Sequence, residues 1–248
     1  MPSSRRQFIL SGLSGLISTA AFGFGESSQF DIAELMIGDS TLSRPNAWAR
    51  ALFLVTSATS IESNARVVQI APEDPELFQH PFAVLSGSKA LPPLNEATAL
   101  ALQRFVQSGG FLFVDDASGI PDGEFYRSFV SWTRRLFPTR PLAPLGEDHS
   151  IFRAYFLLDK PLGRLDAKPY LEGVTLGHTT PIVYCHNDLS GALDRSETGQ
   201  NRYPVVPGGE NQRRESYKLA INLVMYSLTS NYKHDQAHVA ELIREGRL

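Results

Sequence analysis

The 248-residue sequence contains a single cysteine, Cys185. One cysteine cannot form an intramolecular disulfide, which excludes the class of small secreted domains held together by disulfides. Cys185 lies beside His186 in an apolar run, and adjacent residues of a strand point to opposite faces of the sheet. We therefore do not expect a catalytic Cys–His pair, and we interpret Cys185 as a small buried hydrophobic side chain.

The sequence also lacks an excess of charge of either sign. Lys and Arg number 23, Asp and Glu 26, and the net charge is −3 with a pI near 6.1. A nucleic-acid-binding domain normally shows a basic excess, so no nucleic-acid partner is expected. Hydrophobic residues make up 42% and charged residues 20% of the chain, a composition typical of a globular protein. Beyond residue 25 no apolar run is long enough to suggest a membrane span.

The N-terminus has the pattern of an export signal. Ser4-Arg5-Arg6-Gln7-Phe8 is followed by an apolar run, rich in Gly and Ser, that ends at Gly25. A pair of arginines before such a run is typical of a twin-arginine signal peptide, which directs a folded protein across the membrane. The pattern predicts a signal peptide over residues 1–25, a transient contact with the twin-arginine translocase, and a periplasmic or otherwise exported protein. If the signal is not cleaved, it tethers the protein to the membrane.

The rest of the chain alternates short apolar runs with helical patterns. We predict an α/β domain over residues 26–232 and a polar C-terminal helix or tail over 233–248. Asn95 is a typical N-cap residue for one of the helices. Strands that alternate with helices indicate a doubly wound, mostly parallel sheet. The predicted strands are 30–37, 65–70, 81–85, 111–114, 174–176 and 182–185, and the predicted helices are 45–57, 95–107, 123–137 and 211–228.

Polar residues follow several of the predicted strands. In doubly wound sheets, ligands bind beyond the carboxyl ends of the strands, so these residues are the candidate ligand-binding rim. His149, just before an apolar pair, could cap the next turn from the same side. The candidates are Asp39, Ser86, Gly87, Asp115, Asp116, His149, His186 and Asp188.

Five segments carry a resemblance to a known family: PFAVLSGS, LQRFVQSGGFLFVDD, GEDHSIFRAYF, PIVYCHNDLSGA and YKLAINLVMYSL. From about residue 30 to 228 the chain resembles the family catalogued as domain of unknown function 4159. That family is similar to class I glutamine amidotransferase-like and trehalose-utilisation-like domains. The resemblance implies a three-layer α/β fold with a flavodoxin-like, mostly parallel sheet and a ligand site at the rim. The resemblance does not imply any catalytic residue.

Amidotransferase chemistry requires a nucleophilic cysteine on a tight strand-to-helix turn. The turns where it would lie, residues 85–88 and 114–117, contain no cysteine, so glutaminase activity is not expected. Ser86 lacks the G-x-S-x-G pattern of a serine hydrolase.

A metal site is a secondary interpretation of the rim. Carboxylates and imidazoles can bind Zn or Mn when the fold gathers them, but the compact spacings HxExxH and CxxC are absent. Capping of helices and turns is the favoured role of the aspartates and of His149. The possible metal ligands are Asp115, Asp116, His149, His186 and Asp188; no cofactor is otherwise expected.

Two functions follow from these patterns. The favoured hypothesis is an exported cell-envelope protein with a degenerate amidotransferase-like domain, which binds or scaffolds an envelope protein or small ligand through the rim. The alternative is a metal-assisted or Asp/His-dependent hydrolase of an envelope small molecule. Its candidate catalytic residues are Asp115, Asp116, His149 and Asp188. The long connection over residues 191–209 could cover the rim in either case.

Overall fold

The computed structural model describes residues 30–63 and 65–244, with side chains described as far as residue 230. The predicted signal peptide, with Arg5 and Arg6, lies outside the described residues. No helix in the described part of the chain is both long and apolar enough to cross a membrane.

A seven-stranded, mostly parallel sheet forms the centre of the fold, in the order β2-β1-β3-β4-β7-β6-β5. The first five strands of this order are parallel, and β6 and β5 extend the sheet in antiparallel fashion. The order 2-1-3-4 followed by one more parallel strand is the flavodoxin-like arrangement. The strands are β1 (Ile32–Leu35), β2 (Val67–Ile70), β3 (Phe82–Gly87), β4 (Phe111–Asp116), β5 (Ala143–Pro144), β6 (Glu172–Leu176) and β7 (Thr179–Cys185).

Helices cover both faces of the sheet, which gives a three-layer α/β fold. One core cluster joins the sheet to α1, α4 and α5, and a second joins the opposite face to α2 and α3. Since both faces are covered, the central strand β4 is buried along its whole length, as the apolar run of residues 111–114 predicts for its first part. The helices are α1 (Pro45–Ala58), α2 (Glu96–Gln107), α3 (Glu124–Leu136), α4 (Leu189–Leu193) and α5 (Gly209–Arg244).

Local signals account for most of these boundaries. The Asn95 side chain accepts a hydrogen bond of 2.8 Å from the Thr98 amide, which confirms the predicted N-cap of α2. Of the strands and α-helices in the described residues, two were not predicted: β5 is only two residues long and α4 only five. The last helix also continues past residue 233, where the sequence suggested a boundary, to Arg244.

Candidate functional site

The sheet itself divides the predicted rim into two groups. Here "carboxyl rim" means the edge formed by the carboxyl ends of β1, β3, β4 and β7. Asp115 and Asp116 are the last residues of β4, both buried, and as strand neighbours they point to opposite faces. Asp115 contacts α4 on one face, whereas Asp116 accepts a 2.6 Å hydrogen bond from Tyr184, which packs with α3 on the other.

Asp115 holds the start of α4. Its two carboxylate oxygens accept hydrogen bonds of 2.8 Å from the Leu189 amide and 2.7 Å from the Ser190 amide. The Ser190 hydroxyl lies 3.3 Å from that of Ser86 at the end of β3. These contacts confirm the capping role for Asp115, because the first amides of a helix have no partner within the helix.

Asp188 is the N-cap of the same helix and is completely buried. Its backbone has φ of 53°, in the left-handed region that aspartate tolerates better than most residues. The carboxylate accepts a 3.0 Å bond from the Gly191 amide and forms ion pairs with both Arg44 and Arg164. Two guanidinium groups are therefore held together by one buried carboxylate.

Arg44 reaches this position because it immediately precedes α1, whose N-terminus lies at the carboxyl rim. Its amide donates a 2.8 Å hydrogen bond to the buried carboxylate of Glu34 in β1, which anchors the helix start. The Tyr203 ring lies against both guanidinium groups, 5.0 Å from that of Arg44 and 6.0 Å from that of Arg164. We call Arg44, Arg164, Asp115, Asp188 and Tyr203 the arginine–aspartate cluster.

The outer part of this cluster is cationic and aromatic. Side-chain exposure is 0% for Asp188, 11% for Arg44 and 23% for Arg164, and Tyr203 is 37% exposed. Tyr203 belongs to the connection between α4 and α5, the segment that the sequence analysis suggested as a cover of the rim. Its carbonyl accepts a 2.7 Å hydrogen bond from the buried Arg213. Solvent therefore meets guanidinium and phenol groups before it meets a carboxylate.

Burial, and after it the nearby Asp188 carboxylate, raise the pKa of Asp115 from 3.8 to about 7, against the opposing effect of its hydrogen bonds and of Arg44. In Arg44, burial alone would lower the pKa, but the carboxylates of Asp188 and Asp115 raise it above its ordinary value. Near neutral pH the cluster thus holds two fixed cations, one carboxylate and one carboxyl group that can take up a proton.

The raised pKa of Asp115 predicts that its contribution to stability falls as pH rises from 3.8 to about 7. In that interval the folded protein keeps a proton that the unfolded chain releases, so the unfolded state binds fewer protons and the free energy of unfolding decreases with pH. Each unit of pKa difference corresponds to about 1.4 kcal/mol. Urea unfolding of the wild type and of Asp115→Asn at pH 5 and pH 8 measures this contribution. The difference in free energy of unfolding between the wild type and the variant should be smaller at pH 8 than at pH 5. A difference that stays constant or grows from pH 5 to pH 8 contradicts the raised pKa of Asp115.

The second group lies on the α3 face. Nε2 of His186 is 2.7 Å from a Glu172 oxygen, and the Tyr126 hydroxyl donates a 3.1 Å hydrogen bond to the other oxygen of Glu172. Three tyrosine rings surround the imidazole, those of Tyr126, Tyr170 and Tyr184, with centroid distances of 5.0, 6.2 and 4.8 Å. We call these five residues the histidine cluster. Gly87 faces this side too, where a Cβ would lie 2.3 Å from the Phe125 ring.

His149 does not join the carboxyl rim, which corrects the expectation from the sequence. It caps the 3₁₀ helix Ser150–Arg153, and its Nε2 lies 3.1 Å from the hydroxyl of Thr180. Thr180 is at the amino end of β7, so His149 is on the opposite edge of the sheet from Asp115. Asp39 follows β1 on the correct edge but is exposed, in the 3₁₀ helix Gly38–Ser40.

The geometry does not gather a metal-binding set. Among the described residues, no three His, Cys, Asp or Glu side chains lie close enough together to hold a metal ion. The separation follows from the sheet, which places Asp116 and His186 on one face and Asp115 and Asp188 on the other. Cys185 is fully buried, and burial raises the pKa of its thiol well above the ordinary value. It is therefore protonated at neutral pH and a poor nucleophile.

Several residues of the site were missed in the sequence. Arg44 could have been found, because in a doubly wound fold the first residue of a helix that follows a rim strand lies at the rim. Arg164, Tyr203, Glu172 and Tyr126 carry no such signal, since they reach the site from irregular segments, an antiparallel strand and a helix surface.

Comparison with known proteins assigns the domain. No curated protein matches the sequence. Residues 31–228 match the model of a family described as a domain of unknown function (DUF4159), which covers nearly all of the α/β fold and both clusters at the carboxyl rim. The chain therefore belongs to the DUF4159 family.

Proposed function

We propose that this protein is an exported cell-envelope protein that binds a ligand or partner at the carboxyl rim without catalysing a reaction on it. One observation supports this most directly: the aspartates that could act as bases or metal ligands are engaged in holding the fold. Both oxygens of Asp115 accept amide hydrogen bonds, and both oxygens of Asp188 pair with arginines. What remains for a ligand is the partly exposed surface of Arg44, Arg164 and Tyr203.

The chemistry of that surface favours an anionic ligand group. Guanidinium groups bind carboxylates and phosphates through paired N–H donors, and Tyr203 adds an aromatic face beside them. In our proposal the domain is an amidotransferase-like fold whose nucleophile is missing, as the absence of a cysteine at the strand-to-helix turns suggests. The binding surface would have replaced the catalytic site at the same edge of the sheet.

A binding assay with small-molecule extract from the envelope of the native host tests this proposal. A ligand present at about 100 times its Kd stabilises the folded state by about 2.7 kcal/mol, so a stabilising fraction should raise the Tm measurably. Tyr203→Ala and Arg164→Gln should abolish the increase. Arg214→Gln is the matched control, because Arg214 is an exposed arginine that contacts Asn211 on α5. An increase that all three variants retain would place binding elsewhere.

A hydrolase remains the second candidate, because one observation favours it. Glu172 orients His186 through Nε2, as a carboxylate orients the base of a hydrolase, while the other ring nitrogen has no partner among the described residues. Chromogenic ester, amide, phosphate and glycoside substrates should show no turnover with the wild type. Turnover that is lost in both Glu172→Gln and His186→Asn would establish this second candidate instead of the first.

Export is the part of the proposal that rests on the N-terminal sequence. Residues 1–25 fused to a reporter that folds in the cytoplasm should carry the reporter across the cytoplasmic membrane. Replacement of both Arg5 and Arg6 by lysine should stop export, because the arginine pair is the recognised element of this signal. Export of the lysine variant at the normal rate would argue for another route.

A further inference from the structure

Two arginines meet on the side of the fold that α1 and α5 cover, outside both clusters at the carboxyl rim. Arg50 lies in the middle of α1, and its guanidinium carbon is 5.7 Å from the centre of the Tyr217 ring in α5. Arg195, in the connection between α4 and α5, donates a 3.2 Å hydrogen bond from Nη2 to the Tyr217 hydroxyl. One phenol side chain therefore holds two guanidinium groups from distant parts of the chain. We call Arg50, Arg195 and Tyr217 the Tyr217 site.

Neither arginine of the Tyr217 site has an acidic partner in the described part of the chain. Asp194, the neighbour of Arg195 in sequence, pairs instead with Arg202 at 3.6 Å. No other Asp or Glu of the described residues forms an ion pair with Arg50 or Arg195. Burial, and after it the positive charge of Arg195, lower the pKa of Arg50, and the opposing effect comes from Tyr217 rather than from a carboxylate. Two like charges are thus held near each other without an internal anion.

The guanidinium groups are open to solvent at their outer nitrogens. Both arginines are half-buried, and their Nε atoms are buried without a hydrogen-bond partner. Both Nη atoms of Arg50 and Nη1 of Arg195 also make no hydrogen bond with the described residues, but these three atoms are accessible to solvent. Phe53, whose ring centre is 4.9 Å from the Arg50 guanidinium, is 55% exposed, so the site opens to the surface beside it. A ligand can therefore reach the Nη donors from solvent without entering the interior.

Packing holds these donors in position. The guanidinium of Arg50 contacts the rings of Phe53 and Tyr217. The carbonyl of Arg195 accepts a 3.3 Å hydrogen bond from the side chain of Asn46, one turn before Arg50 in α1. A planar guanidinium that is already held in place loses little freedom on binding, and its paired N–H groups match two oxygens of a carboxylate or phosphate. Two such groups with free donors and no internal anion form the donor set of an oxyanion site.

From these contacts we infer that the Tyr217 site binds one oxyanion group, a phosphate or a carboxylate, between the guanidinium groups of Arg50 and Arg195. The bound group accepts hydrogen bonds from the accessible Nη atoms and supplies the negative charge that the described residues do not provide there. In the arginine–aspartate cluster, by contrast, the buried carboxylate of Asp188 already compensates both guanidinium groups. The inference goes beyond the function proposed for that cluster and does not depend on it.

The test is an NMR titration of full-length protein with ¹⁵N-labelled arginine, followed at the Nε–H signals of Arg50 and Arg195. Burial of these two atoms slows their exchange with water and makes the signals observable. Sodium phosphate and sodium acetate are added in separate titrations, with sodium chloride keeping the ionic strength constant. We expect both signals to shift in a saturable way with the same Kd.

The two anions distinguish the sources of the oxyanion. Saturation at a lower concentration of phosphate than of acetate identifies a phosphate site, and the reverse order identifies a carboxylate site. Three results would each overturn the inference: no saturable shift with either anion, an equal shift with chloride alone, or a shift confined to one of the two arginines.

Arg195→Gln adds a second measurement. Removal of one guanidinium should weaken the binding seen at the Arg50 signal about tenfold or more, the factor expected for one charge-assisted hydrogen bond. Tyr217→Phe keeps the ring beside Arg50 but removes the hydroxyl that holds Arg195, so it should weaken binding about threefold. Unchanged affinity in Arg195→Gln would contradict a site shared by the two arginines.

Arg134→Gln is the matched control for these variants. Arg134 is an exposed arginine of α3, on the opposite face of the sheet, and its replacement should leave the affinity unchanged. All of these outcomes are measured at the signals of Arg50 and Arg195 and are independent of the extract assay with Tyr203→Ala. A failure of either proposal can therefore be recognised separately.

Discussion

Replacing Asp188 with asparagine is expected to lower the free energy of unfolding by about 3–5 kcal/mol, the cost of removing one partner from a buried ion pair. Asp188 is completely buried and pairs with Arg44 and Arg164 at once. Asparagine keeps the shape, tolerates the φ of 53° and can still accept the Gly191 hydrogen bond. The loss therefore reports the charge, and urea unfolding at pH 7.5 measures it.

Asp166→Asn is the matched control for this prediction. Asp166 pairs with Lys160 at 2.5 Å, but both side chains are partly exposed, and surface ion pairs contribute about 0–1 kcal/mol. If the two variants lose equal stability, the arginines at the carboxyl rim do not depend on Asp188. In that case the view of the arginine–aspartate cluster as a preorganised surface would be wrong.

Gly163→Ala is expected to destabilise the fold by about 3 kcal/mol or more, at the upper end of the range for overpacking. A Cβ at Gly163 would lie 2.0 Å from the carbonyl oxygen of Asn187 and 2.9 Å from the carbonyl carbon of Asp188. Both neighbours are backbone atoms at the turn between β7 and α4, so neither can rotate away. For a chain of this size the change corresponds to a Tm lower by about 6–12 °C, which differential scanning calorimetry resolves.

The consequence for function makes this substitution informative. Displacement of residue 163 would move Arg164, whose amide donates a 2.9 Å hydrogen bond to the carbonyl of Asp188. The variant should therefore also lose ligand-induced stabilisation at the carboxyl rim. Gly146→Ala provides the control, since the only neighbour of its Cβ is the flexible carboxylate of Asp148, and it should change the Tm little.

Most of the secondary structure could be predicted because it depends on local signals. Asn95 caps α2, the first four residues of β4 form a continuous apolar run, and α3 follows its predicted bounds closely. The elements that were missed have no such signal: β5 exists only because β6 provides a partner for two residues. Helix α4 exists because Asp115 and Asp188, from outside its five residues, satisfy its first amides.

The candidate site could be predicted only in part. Seven of the eight candidates lie at or just beyond the carboxyl ends of strands, since the alternation of strands and helices specifies that edge. The prediction that His149 belongs to the rim was wrong. His149 lies in the connection between β5 and β6, and no local sequence pattern shows which edge of the sheet this connection follows. Glu172, the partner of His186, was missed because it lies in an antiparallel strand added after the parallel core.

By itself, the sequence determined the fold class, the order of most elements, and the absence of a cysteine at the strand-to-helix turns where an amidotransferase would need one; the arginine pair at Arg5 and Arg6 predicts export. Each of these depends on neighbouring residues or on simple periodicity. Only the tertiary structure decided that Asp115 and Asp116 belong to different sites. The sheet lies between them, and the partners on each face, Arg44 with Arg164 on one and Glu172 with Tyr126 on the other, come from distant parts of the chain.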